Sequence, residues 1–374
     1  MRYKTFQDLQ LSALGMGCMR LPLKGGNSEI DEEQTARMAA YAMAHGINYF
    51  DTAWGYHGGN SESVMGKILS AYPRDAYHLA SKFPGYDLAN MPKVQEIFAR
   101  QLERCQSEYF DFYLFHNVCE LNIDAYLNEE YGILDHLLKQ KEAGRIRHLG
   151  FSAHGSIPVM ERFLNAYGEH MEFCQIQLNY LDWSLQDAKG KVELLNARHI
   201  PIWVMEPLRG GKLCTLDEEA MSELQKLRPQ ESMSGWAFRF LQSIPGVTMI
   251  LSGMSDMQQL QENIETFADE QPLNEDEMKT LTGIGRRMST SVPCTACRYC
   301  IEHCPRSLDI PELIRLYNDM VYSGGSFSAR NAVNALPADK QPSACIGCGH
   351  CQALCPQQIH IPDIMRDLTR RISE

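Results

Sequence analysis

The sequence predicts an α/β chain in which a (β/α)8 TIM barrel is followed by a small, mainly helical domain. Three observations lead there. Eight short apolar runs alternate with amphipathic stretches up to about residue 287. Thirteen cysteines are present, and eight of them crowd into the last fifth in two copies of one spacing. At 374 residues and 44% hydrophobic, the chain can bury more than one core.

The strand candidates are, in order, "ALGMGCM" (13–19), "NYFDTA" (48–53), "YHLASKF" (77–83), "YFDFYLFHN" (109–117), "IRHLGFSA" (146–153), "FCQIQLNY" (173–180), "IPIWVMEPL" (200–208) and "TMILSGM" (248–254). Most are nearly continuous in apolar residues, as parallel strands buried on both faces are. Amphipathic stretches such as "EEQTARMAAYAMAHG" (32–46), "VQEIFARQLERCQ" (94–106) and "LLNARH" (194–199) read as the intervening helices. Helices are expected to stop near Gly46 and Gly144, ahead of the next strand. Eight such units in about 250 residues fit a barrel. A doubly wound sheet would usually carry GxGxxG after its first strand, and "GMGCMR" (15–20) lacks the third glycine. "RRMSTSVP" (286–293) reads as a polar linker, giving domains of 1–287 and 294–374.

A net charge of −12 repels a polyanion, and no basic stripe with interleaved aromatics is present, so nucleic acid is not an expected partner. "MRYKTFQDLQ" lacks the apolar stretch of a signal peptide, and no run approaches the roughly 18 apolar residues of a membrane helix. A cytoplasmic protein without a membrane partner is expected. In a reducing compartment the scattered Cys18, Cys105, Cys119, Cys174 and Cys214 read as small buried apolar residues.

Barrel chemistry sits at the C-terminal ends of the strands. There the chain offers Asp51 and Tyr56 after the second run, Lys82 after the third and His116 after the fourth. Singly, each has a plain structural role: a turn cap, a loop aromatic, a surface charge, a satisfied core histidine. Jointly those roles fit poorly, because Lys82 and His116 lie inside apolar runs, where unpaired polar groups are costly. A tyrosine titrates near 10, and to exchange a proton with an alkoxide near neutral pH its pKa should fall by about 3, or ~4 kcal/mol. An ammonium about 4 Å away supplies roughly that at an effective dielectric of ~20. Lys82 is expected to do this to Tyr56, Asp51 to hold Lys82 charged, and His116 to position a carbonyl oxygen.

"FDTAWGYHGGNSE" (50–62), "ASKF" (80–83), "LFHN" (114–117), "GFSAH" (150–154), "QIQLNY" (175–180), "EPLRGGKL" (206–213) and "LSGMSDMQQLQENI" (251–264) together resemble the aldo-keto reductases over about residues 1–285, as does "LSALGMGCMRLP" (11–22). The resemblance implies reversible hydride transfer between NAD(P)H and a small carbonyl or alcohol, with Asp51, Tyr56, Lys82 and His116 as the catalytic tetrad. It also implies that Ser152 and Gln175 hold the carboxamide. Leu208, Gly210 and Gly211 would approach the pyrophosphate. Gly253, Ser255, Gln259 and Asn263 would take the adenosine end, around a helix start whose amides favour phosphate. There are departures: Ala153 stands where the family often has Asn, and Met205 where it has a stacking aromatic. The last loop has no Lys or Arg for a 2′-phosphate, which leaves Arg209 or Lys212, and NADP against NAD stays open.

"CTACRYCIEHCP" (294–305) and "CIGCGHCQALCP" (345–356) both read C-x2-C-x2-C-x3-C-P. This is the bacterial ferredoxin run for a [4Fe–4S] cluster, and its fourth cysteine generally serves the other cluster; zinc fits four such closely spaced thiolates poorly. Cys294, Cys297, Cys300 and Cys355 are therefore assigned to one cluster, and Cys345, Cys348, Cys351 and Cys304 to the second. "CPRSLDIPELIR" (304–315) echoes "CPQQIHIPDIMR" (355–366), and the long segment 306–344 is mostly helical in pattern. The tail thus resembles the helical dicluster ferredoxins, and the whole chain the bacterial aldo-keto reductases with a C-terminal 4Fe–4S domain.

Three functions are compatible with these features. The clusters carry electrons, in which case a ferredoxin or flavoprotein partner must bridge two-electron and one-electron chemistry. Alternatively they are structural, and the small domain folds around its iron. Or the chain is no reductase but a nicotinamide-binding redox sensor or electron-transfer subunit, a role that needs no tetrad.

Overall fold

This computed structural model describes residues 1–25, 29–289, 291, 292, 294, 297–355 and 357–374, apart from the side chains at 299 and 302. Pro356 of the second cysteine motif, and residues 290 and 293 of the expected linker, lie outside the described residues.

The chain opens with an antiparallel hairpin, β1 (Tyr3–Phe6) and β2 (Leu9–Ser12). It is additional to the eight expected strands. Its strands have four residues each, and its turn lies at Gln7-Asp8, without the Asn-Gly or Asp-Gly signal of a tight hairpin. Tertiary packing makes up for this. Phe6 and Leu11 are buried with Tyr49, Phe112, Phe173, Trp203 and Met249, which lie at or near the starts of barrel strands. Phe6 meets Trp203 edge-on with centroids 5.0 Å apart. The hairpin therefore closes the N-terminal mouth of the barrel and leaves the opposite mouth for chemistry.

All eight expected strands form. They are β3 (Leu14–Gly17), β4 (Tyr49–Asp51), β5 (His78–Phe83), β6 (Phe110–Val118), β7 (Ile146–Ala153), β8 (Cys174–Gln177), β9 (Ile202–Met205) and β10 (Val247–Gly253). They close in parallel in the order β10-β3-β4-β5-β6-β7-β8-β9. Apolar stripes at helical spacing build the outer layer, as in Val94–Arg104, which buries Val94, Ile97 and Phe98. Gly46 and Gly144 follow helices in the left-handed region, φ +91° and +72°, where a side chain would be strained.

The last barrel helix, Glu275–Met288, begins with a capping box between Asn274 and Glu277 and buries Leu281 and Ile284. It takes up the first three residues of the expected linker. Beyond it, helices Ile310–Ser323, Phe327–Asn334 and Ile361–Ser373 enclose a second core that includes Leu313, Ile314, Met320, Val333, Met365 and Leu368. Ile361, Ile364, Met365 and Leu368 fall on one face of the final helix by their spacing.

This second core rests on the barrel. Arg315 Nη1 donates to Leu185 O at 2.6 Å, Gln186 Nε2 to Asp319 Oδ2 at 2.9 Å, and Lys212 Nζ to Tyr322 O at 2.9 Å. Among the described residues, no helix is long and apolar enough to cross a membrane.

Candidate active site and cysteine cavities

Strand register brings the tetrad together. Asp51 pairs with Ala80 across β4 and β5, so Lys82, two residues on, points to the same face one step higher. Lys82 in turn pairs with Leu114 on β6, and His116 is two residues beyond that. The barrel's stagger thus lifts each polar side chain one tier above the last. Lys82 Nζ donates to Asp51 Oδ1 at 2.5 Å, to the Thr52 carbonyl at 2.8 Å and to Tyr56 Oη at 3.3 Å. Tyr56 opens the short 3-10 turn Tyr56–Gly59 after β4, and its ring meets that of His116 edge-on at 6.1 Å.

Burial sets the proton positions here. It opposes the charge on Lys82, but Asp51 and Tyr56 outweigh it and hold the ammonium above its ordinary range. Burial also drives His116 well below its ordinary value, helped by Lys82 and His154, so the imidazole is neutral. Tyr56 departs from expectation. Burial raises the phenol and outweighs the opposing ammonium of Lys82, and Asp51 raises it further. Sequence spacing shows the ammonium but neither the burial nor how far the carboxylate neutralises it. Tyr56 therefore stands protonated, the form a proton donor needs. Asp51 Oδ2 and His116 Nδ1 are buried with no hydrogen-bond partner among the described residues.

Asp51 and Tyr56 open into a cleft of about 610 Å³ that runs past Gln175 and Met205, along Leu208, Gly210 and Gly211, to Gly253, Ser255, Gln259 and Asn263. Gln175 Oε1 is buried and unpartnered among the described residues, so it can accept from an amide. Gly210 and Gly211 are left-handed at φ +66° and +90°, and nothing lies within 4 Å of where a Cβ on Gly211 would stand. An unpaired acceptor next to the tetrad and an open glycine wall fit a nicotinamide dinucleotide.

Other expectations fare differently. Ser152 is opposite Gln175 in the register but does not line the cleft; its Oγ accepts from the Asn117 amide at 2.8 Å. The helix Met257–Thr266 is capped by its own Asp256, which accepts from the Gln259 amide at 2.9 Å, so the amides expected to favour phosphate already face a carboxylate. Arg209 and Lys212, expected to meet a 2′-phosphate, do not line the cleft. Arg209 pairs with Asp182 at 2.5 Å and with Asp319, and Lys212 reaches Tyr322. Of the scattered cysteines four are buried, while Cys214 is exposed and lines the cleft.

Four cleft or mouth residues were not foreseen. Arg20 extends over the cleft and leaves little room for a Cβ at Gly210 or Gly253, each about 3.0 Å from its side chain. Glu206, left-handed at φ +55°, lies 4.0 Å from Arg20. Glu262 lines the end of the cleft formed with Gln259 and Asn263. Tyr86 meets His116 edge-on at 5.2 Å, and its hydroxyl would stand 2.4 Å from a Cβ at position 55, so a side chain there would have to displace it. Arg20, Tyr86 and Glu206 each lie within three residues of a strand's C-terminal end, so the strand-end rule, applied more widely, finds them.

The helical region holds two small cavities. One is lined by Cys294, Cys297, Cys300 and Cys355 with Ile314, Ile359 and Ile361. The other is lined by Cys304, Cys345, Cys348 and Cys351 with Leu308, Ile310 and Ile361. Each gathers three cysteines from one motif and the last cysteine of the other, and none of the eight is in a disulfide. Four thiols around an apolar hollow match the donor set of an iron–sulfur cluster.

The aldo/keto reductase family model matches residues 13–286, and a 4Fe-4S dicluster domain model matches residues 293–360. An uncharacterised oxidoreductase of Bacillus subtilis, YqkF, is 26% identical over 309 residues, 73% of this chain and 92% of that protein. An NADH-specific methylglyoxal reductase of Escherichia coli is 26% identical over 226 residues, 55% of this chain and 66% of that protein. Among solved structures, the holo form of an aldo-keto reductase from Bacillus halodurans superposes with a TM-score of 0.63 at 22% identity, covering 76% of this chain and 96% of that one. An aldo/keto reductase from Klebsiella pneumoniae in complex with NADP and acetate gives 0.58 at 19% identity, covering 75% and 93%.

Proposed function

This chain belongs to the aldo/keto reductase family and is an NAD(P)H-dependent oxidoreductase joined to a 4Fe–4S domain; from that premise we propose that it reversibly reduces a small carbonyl compound, with Tyr56 as the proton donor. The observation that carries this reading is the contact of buried Lys82 Nζ with both Asp51 and Tyr56, which line the cleft. A bound nicotinamide supplies the hydride to the carbonyl carbon. Tyr56 Oη gives its proton to the carbonyl oxygen, so the C=O becomes CH–OH. The phenolate that remains lies 3.3 Å from the Lys82 ammonium, which offsets its charge until solvent returns a proton. His116, neutral and half-buried beside Tyr56, orients the carbonyl oxygen. Gln175 is assigned to the carboxamide, Leu208, Gly210 and Gly211 to the pyrophosphate wall, and Gly253, Ser255, Gln259 and Asn263 to the adenosine end; Ser152, whose hydroxyl accepts from the Asn117 amide outside the cleft lining, is left to brace the strand end beside Gln175.

Cys294, Cys297, Cys300 and Cys355 are assigned to one [4Fe–4S] cluster, and Cys345, Cys348, Cys351 and Cys304 to the other. The shared lining by Ile361 supports two adjacent clusters whose binding holds the small domain, residues 294–374, folded. A second reading, in which the clusters pass electrons to a ferredoxin or flavoprotein, is favoured by the surface position of Cys348 and of Ile346, which is 56% exposed.

Tyr56→Phe tests the central claim. Turnover of a carbonyl panel should fall by about 10²- to 10⁴-fold, the usual worth of a positioned acid, with dinucleotide affinity retained. Undiminished turnover would falsify the assignment of Tyr56.

A further inference from the structure

The loop after β9 does two jobs. Leu208, Gly210 and Gly211 form a wall of the cleft, while Arg209, between them, turns its guanidinium away from it. Arg209 Nη1 donates to Asp182 of the barrel at 2.5 Å, and Nη2 donates to Asp319 and, at 2.7 Å, to Ser323, both on the helix Ile310–Ser323. Lys212 of the same loop donates to Tyr322 of that helix. Both cations of the loop therefore end on a single helix of the second core.

This junction is buried and crowded with partners. Arg209 is 7% exposed, Asp182 0% and Asp319 1%. Gln177 and Asn179 donate to Asp182 at 2.8 and 2.7 Å. Gln186 and Ser326 donate to Asp319 at 2.9 and 2.8 Å. The loop itself is strained, since Arg209 and Glu206 are non-glycine residues at φ +46° and +55°. Such a backbone persists only where its surroundings over-determine it. If the helix withdraws, a buried guanidinium loses half its fork, which strongly favours its return to water. The glycine wall is continuous with that residue and moves with it.

We infer that Arg209 is a positioning residue that couples dinucleotide binding to the integrity of the cluster-bearing domain. The inference rests on the reading of the cleft as a dinucleotide site. Docking of the helix pre-organises the wall, so an intact domain favours dinucleotide binding. Linkage is reciprocal, so bound dinucleotide must favour the docked domain.

The test uses full-length, cluster-loaded protein prepared without oxygen. Calorimetric titration with NADH and NADPH gives the affinities, and loss of the visible iron–sulfur absorbance to a chelator, with and without saturating NAD⁺, gives the reverse effect. Asp319→Asn should weaken dinucleotide binding by about 5- to 150-fold, the usual range of coupling between two sites, with cluster absorbance intact. Wild-type protein should bleach more slowly with NAD⁺ present, and the variant should not respond. Arg209→Lys leaves the second core untouched, loses the fork and should give the same weakening, non-additively with Asp319→Asn. Unchanged affinities in both variants, or wild-type bleaching indifferent to NAD⁺, would overturn the coupling. Wild-type protein that binds neither dinucleotide would instead overturn the reading of the cleft.

Discussion

Lys82 donates to Tyr56 across 3.3 Å while its charge is balanced by Asp51 at 2.5 Å, and Lys82 and Asp51 are almost wholly buried. Removing only one member leaves an uncompensated charge, which typically costs about 3–5 kcal/mol. Lys82→Met should therefore lower the melting temperature more than Lys82→Met combined with Asp51→Asn, which retires the charge and its partner together. Both variants should lose carbonyl reduction by about 10²-fold or more, since the phenolate has lost its ammonium. Calorimetry and steady-state rates on the two variants decide the matter; a double variant less stable than the single one contradicts the pairing.

The proton positions predict an unusual pH profile. Tyr56 is raised above its ordinary value, so its acid form persists through neutral pH and is lost only as pH climbs past the raised pKa. His116 is pushed well below its ordinary value and stays neutral as pH falls. Reduction should then be flat from about pH 6 to about pH 9, the span between ordinary histidine and tyrosine values. Alcohol oxidation needs the phenolate and should rise throughout that span. A limb near pH 6.5 in kcat/KM for reduction would show His116 titrating as an ordinary exposed histidine.

Charge around the cleft predicts a preference for NADH. Among the described residues lining it, Arg20 is the sole Lys or Arg, and it lies between Gly210 and Gly253, 4.0 Å from Glu206. Glu262 lines the cleft beside Gln259 and Asn263, the end proposed for adenosine, while Arg209 and Lys212 are committed to the second core. A carboxylate accepts from a ribose diol and repels a 2′-phosphate. NADH should exceed NADPH in kcat/KM by about tenfold or more, ~1.4 kcal/mol, and Glu262→Lys should narrow or reverse the ratio. Equal use of both cofactors by the unaltered protein would contradict this.

What could be read from the sequence, and what could not, follows from which interactions are local. The strands announce themselves because parallel strands buried on both faces are apolar throughout, and Lys82 stands out because a charge inside such a run needs a partner. The acidity of Tyr56 was misjudged because spacing reports a neighbouring charge but not the depth of burial. Arg209 looked like a phosphate ligand because its acidic partner Asp319 is 110 residues away in the chain. The β1–β2 hairpin was missed because the aromatics that hold Phe6, from Phe112 to Trp203, come from distant strands.

The crossed arrangement of cysteines gives the last prediction. Cys355 belongs by sequence to the second motif but lines the cavity of the first, with Cys294, Cys297 and Cys300. Cys345 lines the other, with Cys304. If each cavity holds four irons, the intact protein carries about eight per chain. Cys355→Ala should cost the cluster of the first motif and leave about four. Adding Cys294→Ala should then remove nothing more, because both changes strike one cavity. Adding Cys345→Ala should strip the protein to near zero, although Cys345 and Cys355 share a motif. Iron content and the low-temperature EPR spectrum of the reduced protein read both outcomes. An uncrossed assignment predicts the reverse: the pair Cys345 and Cys355 would behave as one lesion, and the pair Cys294 and Cys355 as two.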